Sequence, residues 1–243
     1  MTEQVELASG LDRDGRREGF SAWWWLALPV VVGLLLAVTA KAAPGFYAVW
    51  IESEQGLLEI SHILLPAAGL VLALQLLIKT DFSGRGWLRL WVGFAALACF
   101  YIAGEEASWG QHFFGWATPE GWQKINDQQE TNLHNVSAWL DQKPRLLLEL
   151  GVIVGGIVIP LAALWRPALR RHAFGIILPP FLTLPSAVLA ELSRATERVA
   201  EALDHSSILF QRASEVQEFY FFLFVLFYLI VLRQRLRAGV ESP

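Results

Sequence analysis

Residues 57–78 read LLEISHILLPAAGLVLALQLLI. One glutamate and one histidine are the ionisable residues in a predominantly apolar run. As a helix rising ~1.5 Å per residue, a run of this length crosses the roughly 30 Å hydrocarbon core of a bilayer. Five more runs share its character: residues 22–40, 90–104, 146–165, 173–190 and 213–232. The pattern predicts an all-α, polytopic membrane helix bundle of about six transmembrane helices over residues 22–232, with an outer re-entrant or interfacial helical segment. Residues 1–21 and 233–243 read as cytoplasmic tails. Val38-Thr39-Ala40 resembles a signal-peptide cleavage site, but the apolar core before it is too long for one, so the first run reads as an uncleaved span.

Composition supports the membrane reading. The 243-residue chain is 54% hydrophobic and only 17% charged, a balance soluble domains rarely reach. A net charge of −4 leaves no basic footprint for nucleic acid. The single cysteine, Cys99, lies in an apolar run and says nothing about redox compartment.

Lys and Arg set the expected direction. With the N-terminus inside, twelve of the 19 basic residues fall on the inner side, in four clusters on short connections. The inverse orientation would put all four clusters outside. The expected location is therefore a bacterial cytoplasmic (inner) membrane with both termini cytoplasmic. Trp23, Trp24, Trp25, Trp87 and Trp165 then mark inner span ends. Trp50, Trp109, Trp116, Trp122 and Trp139 mark outer ones.

Two outer connections are long. Residues 105–145 begin as a continuation of the third helix, which would set Glu105, Ser108 and His112 on one stripe by i, i+3, i+7 spacing. Thr118-Pro119-Glu120 then has the form of a helix start. Residues 191–212 read as an amphipathic helix, with Leu192, Ala195, Val199 and Leu203 on one face. In the fourth span, Gly151 and Gly155 form a small-xxx-small face for close helix approach. Pro179, Pro180 and Pro185 must kink or break the fifth span, and the freed backbone groups need partners.

Ionisable residues enter the apolar runs at one level. Glu59 and His62 lie one turn apart in the second span. Glu105 and Glu106 end the third, Glu149 follows three leucines in the fourth, and Glu215 and Glu218 open the last. Ionisable groups at this depth are costly and turn toward protein or a wet cavity. The economical expectation is one polar pocket at the outer face where spans two, three, four and six converge.

The pocket has ligand chemistry for zinc or another divalent ion. Glu59 and His62 have the E-x-x-H spacing that puts both side chains on one metal, and His112 and His134 could complete the set. Glu105, Glu106 and Ser108 are the catalytic candidates, with a carboxylate as general acid or base. Gln111, Glu130, Asn132, Asn135, Glu149, Glu215 and Glu218 are the binding candidates. Only one E-x-x-H is present, which argues against a di-iron bundle.

The segment GEEASWGQ at 104–111, followed by ETNLHN at 130–135, resembles a pattern in bacterial multi-pass membrane proteins of uncharacterised activity. Glu105-Glu106 is also faintly similar to the adjacent glutamates of CAAX-type intramembrane proteases. Their following arginine and F-x-x-x-H motif are absent. Trp50, Glu52 and Glu59 faintly resemble the early acidic segment of ceramidase-like hydrolases, whose paired C-terminal histidines are missing here.

Two functions follow as expectations. One is a membrane-embedded, metal-assisted hydrolase or transferase acting on a lipid-linked substrate. The other is a non-enzymatic module binding a lipid, a cation or a partner subunit.

Overall fold

The computed structural model describes residues 22–53, 55–126, 130–133, 136, 138–166, 168–204 and 209–238. Every regular element among them is helical. Six helical stretches are long and apolar enough to cross a membrane: Trp24–Ala42, Leu57–Lys79, Gly86–Glu106, Lys143–Trp165, Phe174–Ala202 and Ala213–Arg237. Below they are the first to sixth spans. The chain is thus a multi-pass helical membrane protein. The described residues form two compact units, one running to Leu58 and resuming at Gly151, the other Glu59–Leu150.

In the first unit the sixth span is the most enclosed helix. Two-thirds of its apolar window is buried, against 11% for the first span. Its Tyr220, Phe221, Leu229 and Leu232 are almost wholly removed from solvent. It packs chiefly on the helix Leu184–Ala202, which also meets the first span. Tyr220 donates its hydroxyl hydrogen to the Pro29 carbonyl of the first span, 2.9 Å away. Gly33 makes this approach possible, because a Cβ there would stand 2.6 Å from the Tyr220 oxygen.

The fifth span is broken, as its prolines require. Ala173–Ile177 and Phe181–Thr183 are short 3-10 turns, and a regular helix runs only over Leu184–Ala202. Pro179 and Pro180 have no N–H to offer the preceding turn. Arg235 of the sixth span supplies donors instead, to the carbonyls of Ile176 (3.0 Å) and Leu178 (2.7 Å). The expected surface helix over residues 191–212 is not a separate element. Its first half continues the fifth-span helix to Ala202, and Asp204 then turns with φ 55°.

The close-packing glycine of the fourth span also differs from expectation. A Cβ at Gly151 would meet nothing within 4 Å, and at Gly155 only ordinary contacts. At Gly156 it would stand 2.5 Å from the Ala187 Cβ and 2.8 Å from the Phe224 ring. The helix is π-wound over Ile153–Val158, which rotates the contacting face by a residue.

The second unit joins the second and third spans by a tight turn. Ser83 N donates to the Asp81 carboxylate at 2.9 Å, and Gly84 takes φ 71°. The Ser83 hydrogen bonds hold the Asp81 carboxyl below the usual carboxylate range. The third span starts at Gly86, earlier than the expected residue 90, and ends at Glu106.

Candidate functional site

The helix does not continue to His112. Ala107 leaves helical geometry, and Ser108, Trp109 and Gly110 follow with φ of 44°, 55° and 107°. Left-handed backbone is unfavourable for Ser and Trp, so surrounding contacts must hold it. The chain reverses, and the expected Glu105–Ser108–His112 stripe is not formed. His112 instead lies on a short helix, Gln111–Phe114, capped by left-handed glycines at 110 and 115.

The contacts that hold the reversal begin at Glu105, which is 3% exposed. Its two oxygens accept from the Trp109 indole N–H (2.6 Å) and from the Leu133 backbone N–H (2.7 Å). The Trp109 ring folds back onto Gly104, where a Cβ would stand 2.7 Å from it. It also meets Phe100 edge-on at 5.6 Å. Glycine at 104 is the residue that admits the ring.

A second layer joins Ser108, Glu130 and Asn132. Ser108 Oγ donates to the Glu130 carboxylate (2.6 Å). Asn132 Nδ2 donates to the same oxygen (2.6 Å) and to Ser108 Oγ (3.0 Å). Asn126 braces Asn132 through its carbonyl and side chain, and its own Oδ1 receives Glu130 N. Gln111 Oε1 accepts from Thr131 N (2.9 Å), and Gln111 Nε2 donates to Thr118 Oγ1 (2.7 Å). Thr118 is therefore spent on Gln111. The helix after it runs only Glu120–Gln123, with Pro119 as an uncapped start. Buried polar networks of this kind rigidify a segment when their members are satisfied.

The metal-ligand candidates of this unit stand where the second and third spans begin and end. His62 is fully buried, and its Nδ1 lies 3.8 Å from a Glu106 carboxylate oxygen. That exceeds hydrogen-bond length. Glu59, one turn earlier on the same helix, brings a carboxylate oxygen within 4.8 Å of a His62 ring nitrogen. Two ligands of a tetrahedral zinc, each ~2.0–2.1 Å from it, stand roughly 3.4 Å apart. The His62–Glu106 pair is within ~0.5 Å of that separation, and an imidazole with carboxylates suits a first-row divalent ion.

Glu149 is half-buried on the helix Ala138–Val152. In the first unit, Glu215 pairs with Arg212 at 2.7 Å, and Glu218 is half-buried one turn later. Arg212 also donates to the Glu52 carbonyl at 2.9 Å, while its backbone N–H meets the Glu52 carboxylate. Burial and the Glu52 charge push the nearby Tyr47 phenol well above its ordinary range. His134 and Asn135 lie outside the described residues, as does the His112 side chain.

Sequence reasoning singled out Glu105, Ser108, Gln111, Glu130 and Asn132, and these do share one network. It missed Trp109, Thr118, Asn126 and Thr131, which bind them together. Thr131 finds Gln111 and Ser108 at separations of 20 and 23 residues, beyond any helical spacing. No protein-family model, curated protein or solved structure matches the chain. What is shown is a multi-pass helical membrane protein with a buried His/Glu group able to hold a metal.

Proposed function

We propose that the chain is a membrane-embedded, metal-assisted hydrolase or transferase acting on a lipid-linked substrate at the outer face of a bacterial inner membrane. One observation carries it: a fully buried histidine 3.8 Å from a glutamate oxygen where apolar spans begin and end. A buried imidazole beside a carboxylate is costly unless it is used. The distribution of basic clusters supports cytoplasmic termini and hence an outer site.

In this reading His62 and Glu106 are ligands of the ion. A divalent ion held there would lower the pKa of a bound water and supply a nucleophile at neutral pH. Glu105, beside the ligand Glu106, anchors Trp109 and Leu133 to the end of the third span. Glu149, Glu215 and Glu218 are further candidates by their depth in the spans. Gln variants of each test whether they add ligands.

A second reading has its own support. Glu105 and Ser108, two of the three expected catalytic groups, are both engaged in the internal network. That favours a non-enzymatic module in which the same residues hold a cation or lipid headgroup without turnover. Metal analysis of protein purified without chelator tests the shared premise. The expected result is a stoichiometric divalent metal in the wild type, lost in His62→Ala and Glu106→Gln. No metal in the wild type would overturn both metal readings. A bound, intact lipid without turnover in metal-loaded protein would select the module.

A further inference from the structure

The segment after the third span has two faces, and only one is used by the polar network. Gln111 and Thr118 point their polar atoms at each other, and Gln111 also receives Thr131. Phe113 is 67% exposed, Phe114 79% and Trp116 40%. The Phe114 and Trp116 rings stack at 5.9 Å with 10° between their planes. Both lean on Gly110, whose added Cβ would meet them at 3.1–3.4 Å. Gly110 therefore serves as a backbone platform for the pair, and its φ of 107° aims it there.

The composition of this stretch matches its geometry. From Ala107 to Thr118 there is no Asp, Glu, Lys or Arg. An uncharged segment with three large exposed aromatics is unsuited to open water. Its position supplies the alternative. Trp109 packs on Phe100, six residues before the end of the third span, or roughly 9 Å back along the helix. Phe100 is itself half exposed, on a face of the span with exposed Leu97 and Phe94. The reversal at Ser108–Gly110 thus folds the Trp109 ring back onto the apolar side of the span and starts the segment at the span's end. Aromatic rings that are apolar at one end and wet at the other collect at the headgroup level.

We infer that Phe113, Phe114 and Trp116 form a membrane-dipping wedge that seats in the interfacial layer of the bilayer around the third span. The occupant of this face is lipid at headgroup and upper acyl depth. The wedge ties the polar network to the membrane surface, with Gly110 and Gly115 setting its angle.

The single cysteine makes the test direct. In a Cys99→Ala background, Phe113→Cys, Phe114→Cys or Trp116→Cys is labelled with an environment-sensitive fluorophore. The full chain is reconstituted in phosphatidylcholine vesicles. Leu97→Cys serves as the lipid-facing control and Glu120→Cys as the exposed one. The expected result is blue-shifted emission at the wedge positions, with most of it lost to lipid carrying a nitroxide near the headgroup and little lost to aqueous iodide. Quenching by iodide and not by the lipid nitroxide would overturn the inference. So would protection from both quenchers, which would mean that protein covers the face. Three labelling positions allow for a variant that fails to fold.

Discussion

Glu105→Gln separates the two roles assigned to the adjacent glutamates. The Glu105 carboxylate uses one oxygen for the Trp109 indole and the other for the Leu133 amide, at 2.6 and 2.7 Å. Glutamine has the same shape but a single oxygen. Whichever way it turns, its NH2 faces an N–H donor, so one charge-assisted bond is lost and a buried donor is left opposed. Hydrogen bonds to charged groups contribute roughly 1.5–3 kcal/mol, which at 1.36 kcal/mol per decade is a rise of roughly 10- to 150-fold in local opening. Amide hydrogen exchange followed by mass spectrometry reads this directly. Exchange over the described parts of residues 107–133 should accelerate by that factor, while the sixth span is unchanged. Glu106→Gln should do the reverse, leaving exchange in this segment near wild type while abolishing metal retention. If Glu105→Gln leaves the Leu133 amide as protected as in the wild type, the anchoring role of Glu105 is wrong.

Other consequences follow from contacts already described. Gly156→Ala forces a Cβ into Ala187 and Phe224 and should cost about 1–3 kcal/mol in unfolding measured in mild detergent. Gly151→Ala meets nothing and should be neutral or slightly stabilising; equal stability of the two variants would refute the packing. Tyr220→Phe removes the bond to the Pro29 carbonyl and should cost about 1 kcal/mol in the same assay. Arg235→Met leaves the Ile176 and Leu178 carbonyls without their donor. It should lower stability by roughly 1.5–3 kcal/mol, and Arg235→Lys should recover part of the loss. Stability unaltered in Arg235→Met would show that the broken fifth span is satisfied in another way.

The six spans were legible in the sequence because length and hydropathy are local properties. Among the described residues the structure kept their number and moved most ends by a few residues, while the fifth runs on from the expected 190 to Ala202. Glu59 and His62 were legible for the same reason, since a helix puts i and i+3 on one face whatever surrounds it. The break at Pro179 and Pro180 could also be foreseen, because proline has no N–H to donate. The identity of its rescuer, Arg235, could not.

Tertiary structure decided the rest. The helical pattern of residues 105–112 is genuine, yet the chain abandons it at Ser108 for backbone that neither Ser nor Trp prefers. The compensation comes from Glu105 binding Leu133, Ser108 binding Glu130, and Gln111 binding Thr131, all contacts between distant residues with no periodic signature. Gly151 and Gly155 had the spacing of a packing face, but the π-wound turn hands that contact to Gly156, and winding is not written in residue spacing. Periodicity thus determined which residues face the same way along each helix. Packing determined which of them meet a partner, because that depends on where other segments return.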